Sequence, residues 1–156
     1  MNTQALPGSS VPLSASLVGS WELLSRVDHT STGERRLDPA LGDDPIALLI
    51  YDASGHFAAQ FMKRDRSRGL EAPAASATQN NSRAQGGYDA YFGRYTTDDS
   101  NNTVTQTLTG ALSQENVGRT LTRAMTVAGD ELMIRLQTVS PSGEPLTRTL
   151  KWNRVG

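Results

Sequence analysis

From Gly19 to Arg154 apolar and polar residues alternate with a period of two over much of the chain, the mark of half-buried strands. Trp21, Leu23, Ser25 and Val27 share one face of the first such segment. Ile46 to Asp52 is apolar at nearly every position, which predicts a strand buried on both faces. Asp52-Ala53-Ser54-Gly55 reads as a turn, because glycine supplies positive φ and aspartate bonds back to the backbone. His56 to Lys63 then returns as the second arm of a hairpin. Tyr88 to Thr97, Thr103 to Leu112, Gly118 to Val127, Glu131 to Val139 and Leu146 to Arg154 give five more strands, separated by clusters such as Asp98-Asp99-Ser100-Asn101-Asn102. Most threonines follow Tyr95, as expected of β-branched polar residues on an outer sheet surface. About eight strands in meander order make an all-β domain, either an up-and-down antiparallel barrel or a sandwich.

Two stretches break the alternation. Ser14 to Val18 fits one helical turn closing an end of the barrel. Arg64 to Gly87 is longer than an ordinary connection, and such loops are functional lids or disordered insertions. Its small residues, Ala72 to Ala77, favour a lid over the barrel mouth. Residues 1–16, with Pro7, Gly8, Ser9, Ser10 and Pro12, read as a flexible arm without a signal-peptide pattern. Residues 17–156 form the single domain.

Composition narrows the chemistry. A chain of 156 residues fits one domain. It has no cysteine, which removes thiol catalysis, thiolate metal sites and disulfides, and points to a cytoplasmic setting. Fifteen basic against 16 acidic residues leave no basic surplus for nucleic acid. The longest apolar run, Ile46 to Tyr51, is too short to cross a bilayer as a helix. His29 and His56 are far apart and lack metal-ligand spacing. Asp43-Asp44 and Asp98-Asp99 are turn features, and no glycine-rich phosphate loop opens a helix. The expected partner is therefore a small molecule, with no cofactor, metal, nucleic acid or membrane.

Gly19-Ser20-Trp21 opens the first strand with a Gly-x-Trp pattern. The words Leu49-Ile50-Tyr51-Asp52-Ala53-Ser54-Gly55-His56, Gln60-Phe61-Met62-Lys63-Arg64-Asp65-Arg66, Gly87-Tyr88-Asp89-Ala90-Tyr91-Phe92-Gly93-Arg94-Tyr95, Val117-Gly118 and Gly129-Asp130-Glu131-Leu132 follow in order. From Leu17 to Arg154 the chain thus resembles the bacterial and fungal lipocalin-like domain family. The resemblance implies a calycin-type barrel with a ligand cavity, in a family some of whose members sit beside natural-product pathways. It also implies that Trp21, placed by Gly19, plugs the closed end under a cation from the last strand, Arg148 or Arg154. The chain departs from the pattern at two points. Members often carry histidine after the strand-starting Val-Thr, where Val104-Thr105 is followed here by Gln106. An aromatic commonly precedes the Val-Gly pair, where this chain has Asn116. No catalytic residue is carried over.

Candidate ligand contacts follow from the residues themselves. Tyr51, Phe57, Tyr91 and Tyr95 combine aromatic bodies with, in three of them, polar tips, and Met62 adds an adaptable thioether. Gln60 both donates and accepts, and suits the polar contact that orients a ligand. Arg123 alternates with Leu121, Met125 and Val127, so it sits on an apolar strand face. A buried guanidinium there requires a carboxylate, either from an anionic ligand or from Glu22 or Asp89, unless the strand twists it outward. Core packing is the alternative for the aromatic residues. Three functions fit. One is carriage of a hydrophobic or amphipathic molecule. The second is a cofactor-independent isomerase or cyclase acting by orientation and water exclusion. The third is an interaction module with a filled barrel.

Overall fold

A computed structural model describes residues 11–66 and 84–156. A helical turn α1 (Leu13–Ser16) precedes strands β1 (Gly19–His29), β2 (Arg35–Arg36), β3 (Ile46–Tyr51), β4 (His56–Met62) and β5 (Tyr88–Asp98). Strands β6 (Thr103–Ala111), β7 (Thr120–Ala128), β8 (Glu131–Val139) and β9 (Pro145–Arg154) complete the chain, with a 3-10 turn at Gln114–Asn116. Neighbours in sequence pair antiparallel from β3 to β9. β9 then returns to β1, from Trp21↔Arg154 to His29↔Thr147. That last pairing closes a sheet of eight long strands into an up-and-down barrel and removes the sandwich alternative. The short β2 is a flap paired to the far end of β1.

The hairpins have the expected turn chemistry. The Asp52 carboxylate accepts from the backbone N–H of Ser54 at 3.0 Å and of His56 at 2.8 Å. Asp98 does the same for Ser100 at 3.1 Å. At the opposite pole from β2, α1 lies across the barrel. Leu13 and Leu17 are buried in the core, and Ser14 donates from both its N–H and its hydroxyl to Asp99 at 2.8 Å.

Three expectations about strand faces change. β3 is not buried on both sides: Ala47, Leu49 and Tyr51 point inward, while Ile46, Leu48 and Ile50 remain 44%, 39% and 37% exposed. In β1 the pairing with β9 steps from Leu23↔Trp152 to Ser25↔Lys151. The extra residue, Leu24, is a bulge, and a bulge exchanges the faces of the strand beyond it. Arg26 and Asp28 therefore point into the barrel where Ser25 and Val27 were expected. In β4 the inward phase belongs to Phe57, Ala59 and Phe61, so Gln60 and Met62 face outward. Most of Arg64 to Gly87, and residues 1–10 of the arm, lie outside the described residues.

A cavity lined by apolar and charged side chains

At the closed end Trp21 is fully buried, and its indole N–H donates to the Leu17 carbonyl at 3.0 Å. The Arg154 guanidinium lies 4.3 Å from the ring centroid, a cation–π distance. The same guanidinium donates to the carbonyls of Ser16 at 2.7 Å and Val18 at 2.9 Å. Arg154 thus ties the plug, α1 and the last strand together. Gly19 makes room for it: a Cβ there would stand 2.7 Å from the guanidinium nitrogen, and the backbone φ is +145°. Of the two cations expected over Trp21, Arg154 takes the place and Arg148 does not.

Above this plug is a cavity of about 60 Å³. It is lined by apolar side chains, among them Leu49, Phe61, Met125, Ile134, Leu150 and Trp152, interspersed with polar ones, Arg26, Asp38, Asp89, Gln106, Arg123 and Arg148. Tyr91 also lines it, stacked on Phe61 at 6.4 Å. Tyr51 lies just below, with Tyr95 edge-on at 4.8 Å and Phe57 at 6.0 Å. The Gln106 amide donates to the Tyr51 hydroxyl at 2.6 Å, while its own carbonyl oxygen, buried in the cavity wall, takes no hydrogen bond. Burial drives the Tyr51 hydroxyl far above its ordinary range, so it stays protonated. The Tyr95 hydroxyl is occupied outside, donating to the Asp52 carbonyl at 2.6 Å.

Four charged groups form a chain of ion pairs, Asp28–Arg148–Asp38–Arg26. Arg148 forks onto Asp28 with bonds of 2.8 and 2.9 Å, the bidentate geometry that suits a guanidinium to a carboxylate. Asp38, from the connection after β2, accepts from Arg26 at 2.7 Å and reaches Arg148 at 3.4 Å. Two cations and two anions balance. Burial pushes the Asp38 carboxyl up, but Arg26 and Arg148 more than reverse this and hold it below the usual range. Burial lowers Arg148, and Asp28 more than restores it. Ala40 and Leu41 follow Asp38 into the cavity wall, so this chain of ion pairs pins the connection to the barrel.

A depressed carboxylate contributes stability that is present above its unfolded pKa, near 3.9, and is lost as pH falls through the lower folded value. Asp38→Asn removes that linkage. The variant's melting temperature should fall less steeply than the parent's between about pH 5 and pH 2. Superimposable acid limbs would show that Asp38 does not carry the effect.

Of the seven ligand-contact candidates, Tyr91 and Arg123 line the cavity. Tyr51, Phe57 and Tyr95 pack together beneath it. Gln60 and Met62 are on the outer surface, where Gln60 accepts from the Tyr88 hydroxyl at 3.2 Å. Arg123 is buried beside Tyr91 and Tyr51, and burial lowers its pKa. Arg26 and Asp38 in the wall, and Asp28 behind it holding Arg148, are not found by the strand pattern. Gln106, singled out above only as a departure from the family pattern, reaches the interior where Gln60 does not.

With this geometry in hand, comparison with known proteins is decisive at the level of family. A lipocalin-like domain family model matches residues 18–155. The chain belongs to the lipocalin-like domain family. No curated protein matches it. Membership agrees with the closed eight-strand barrel and the plugged end, and it gives a lipocalin-like architecture suited to small-molecule binding.

Proposed function

We propose that this lipocalin-like barrel binds a compact amphipathic molecule, its apolar body against Phe61, Met125 and Trp152 and its polar group toward Gln106. The observation that carries the reading is the Gln106 carbonyl oxygen, buried in the wall without a hydrogen bond. Such a group costs about 1–3 kcal/mol unless a partner fills it, so it selects a ligand with an N–H or O–H donor. The cavity's 60 Å³ favours a compact frame over a long acyl chain. Two features support binding over acid–base catalysis. Tyr51 is held protonated, and Asp28 and Asp38 are both committed to arginines.

The test compares pyrrole, a single small ring with an N–H, with furan, a ring of the same size without a donor, read by NMR titration of the Trp152 indole N–H. We expect pyrrole to bind about tenfold or more tightly, and Gln106→Leu to abolish that preference while leaving furan binding intact. Binding of neither probe would favour the filled-barrel reading. Turnover of a reactive polyene or epoxide on the parent protein would favour the isomerase or cyclase.

A further inference from the structure

Both tryptophans of the barrel are fully buried, yet the protein satisfies only one indole. The Trp21 N–H donates to the Leu17 carbonyl, whereas the Trp152 N–H makes no hydrogen bond among the described residues. A buried indole N–H ordinarily finds an acceptor, so this one calls for an explanation. Trp152 sits on β9 between Leu23 of β1 and Leu132 of β8, and its ring meets Phe61 edge-on at 5.8 Å. It lines the same cavity as Gln106. Gln106 presents the converse case. Its amide donates to the Tyr51 hydroxyl at 2.6 Å, and that hydroxyl donates in turn to the Met125 sulfur at 3.9 Å. With the amide nitrogen committed in this way, the Gln106 carbonyl oxygen is left buried without a donor among the described residues. One cavity thus holds a donor lacking an acceptor and an acceptor lacking a donor.

We propose that the polar group of the bound molecule is uncharged and carries a lone pair together with an N–H or O–H, as a carboxamide, a lactam or an azole does. This rests on the reading that the cavity binds a small amphipathic molecule. The lone pair accepts from Trp152, and the N–H or O–H donates to Gln106. A molecule with only a donor leaves the indole N–H unmet, and one with only an acceptor, such as an ether, leaves the Gln106 oxygen unmet. Each unmet group keeps its desolvation cost, so the site selects a molecule that answers both. An ion does not fit. The interior sets three arginines, Arg26, Arg123 and Arg148, against three aspartates, Asp28, Asp38 and Asp89, so their formal charges cancel. A carboxylate or an ammonium would enter with no formal surplus to neutralise it, at a high desolvation cost. The size of the cavity limits the group to one small ring or its equivalent.

Neutral five-membered rings separate the two contributions. Pyrrole has the N–H alone. Pyrazole adds a lone pair on the next ring atom, and 1,2,4-triazole adds one there and another across the ring. In NMR titrations of the full chain, the better of these two azoles should bind about tenfold more tightly than pyrrole. With that azole, and not with pyrrole, the Trp152 indole proton should move downfield, the mark of a new hydrogen bond. Trp152→Phe keeps an aromatic ring beside Phe61 and removes the donor. It should bring the azole down to the affinity of pyrrole or below, while pyrrole still exceeds furan. If this variant does not fold, the indole shift in the parent protein decides alone. Azoles no tighter than pyrrole, or a Trp152 proton that does not move, overturn the inference and leave the Gln106 reading standing. A pyrrole no tighter than furan defeats that reading, and this inference with it.

Discussion

Asp28→Ala should lower the unfolding free energy by about 3–5 kcal/mol in urea denaturation, although Asp28 touches no ligand surface directly. The reason lies in what the substitution leaves behind. Arg148 is 7% exposed and points into the barrel with its guanidinium forked onto Asp28. Without that carboxylate only the longer 3.4 Å contact to Asp38 remains, and Asp38 is already shared with Arg26. A buried cation that loses its partner suffers most of its desolvation penalty uncompensated. The control is the double variant Asp28→Leu with Arg148→Met. Exchange of a buried pair for apolar groups of similar volume is often neutral, so the double variant should recover most of the loss. If it is as unstable as Asp28→Ala alone, the pair is not the cause, and the damage comes from disturbing β1 and β9. The double variant should also loosen the connection carrying Asp38, Ala40 and Leu41, which would raise the exchange rate of any bound probe.

The strand count and order of this barrel were readable because β-branched and apolar residues alternate cleanly in β4 to β9, and turn residues punctuate them. Arg123 was found by a simple rule, that a charge on an apolar strand face is a buried charge. The same rule applied to Leu146, Arg148, Leu150 and Trp152 marks Arg148 as an interior residue. Its assignment to the Trp21 ring followed the family expectation instead. Arg26 and Asp28 were hidden by a different cause. The bulge at Leu24 shifts the phase of β1, and a period-two reading has no means to count an extra residue. What remained was the pair itself, opposite charges two apart on one face, which in a barrel strand is a signal for an inward ion-pair network. Gln60 adjoins Phe61 in the sequence. Adjacency places a residue on the opposite face, and Gln106, alternating with Val104 and Leu108, had the better claim. The apolar run of β3 suggests burial on both sides, but Ile46, Leu48 and Ile50 stay partly exposed, since much of any folded surface is apolar.

The closed end provides the second large effect. Trp21→Ala should cost about 3–5 kcal/mol, as expected for an aromatic-to-alanine change at a fully buried site. Two further losses fall on the same residue. Its indole N–H no longer satisfies the Leu17 carbonyl, and Arg154 loses the face of the ring on which it rests. The two contributions separate by substitution. Trp21→Phe keeps an aromatic face for the guanidinium but not the hydrogen bond, and should cost less than half as much. Arg154→Met keeps the ring and removes the clasp on the Ser16 and Val18 carbonyls, so it should act mainly through α1. Amide exchange at Leu17, whose N–H donates to the Leu13 carbonyl at 2.9 Å, reports that loosening directly. If Trp21→Ala shifts stability by under about 1 kcal/mol, the ring is not the plug. The end would then be held by Leu13 and Leu17 alone, and Arg154→Met should be the more damaging of the two.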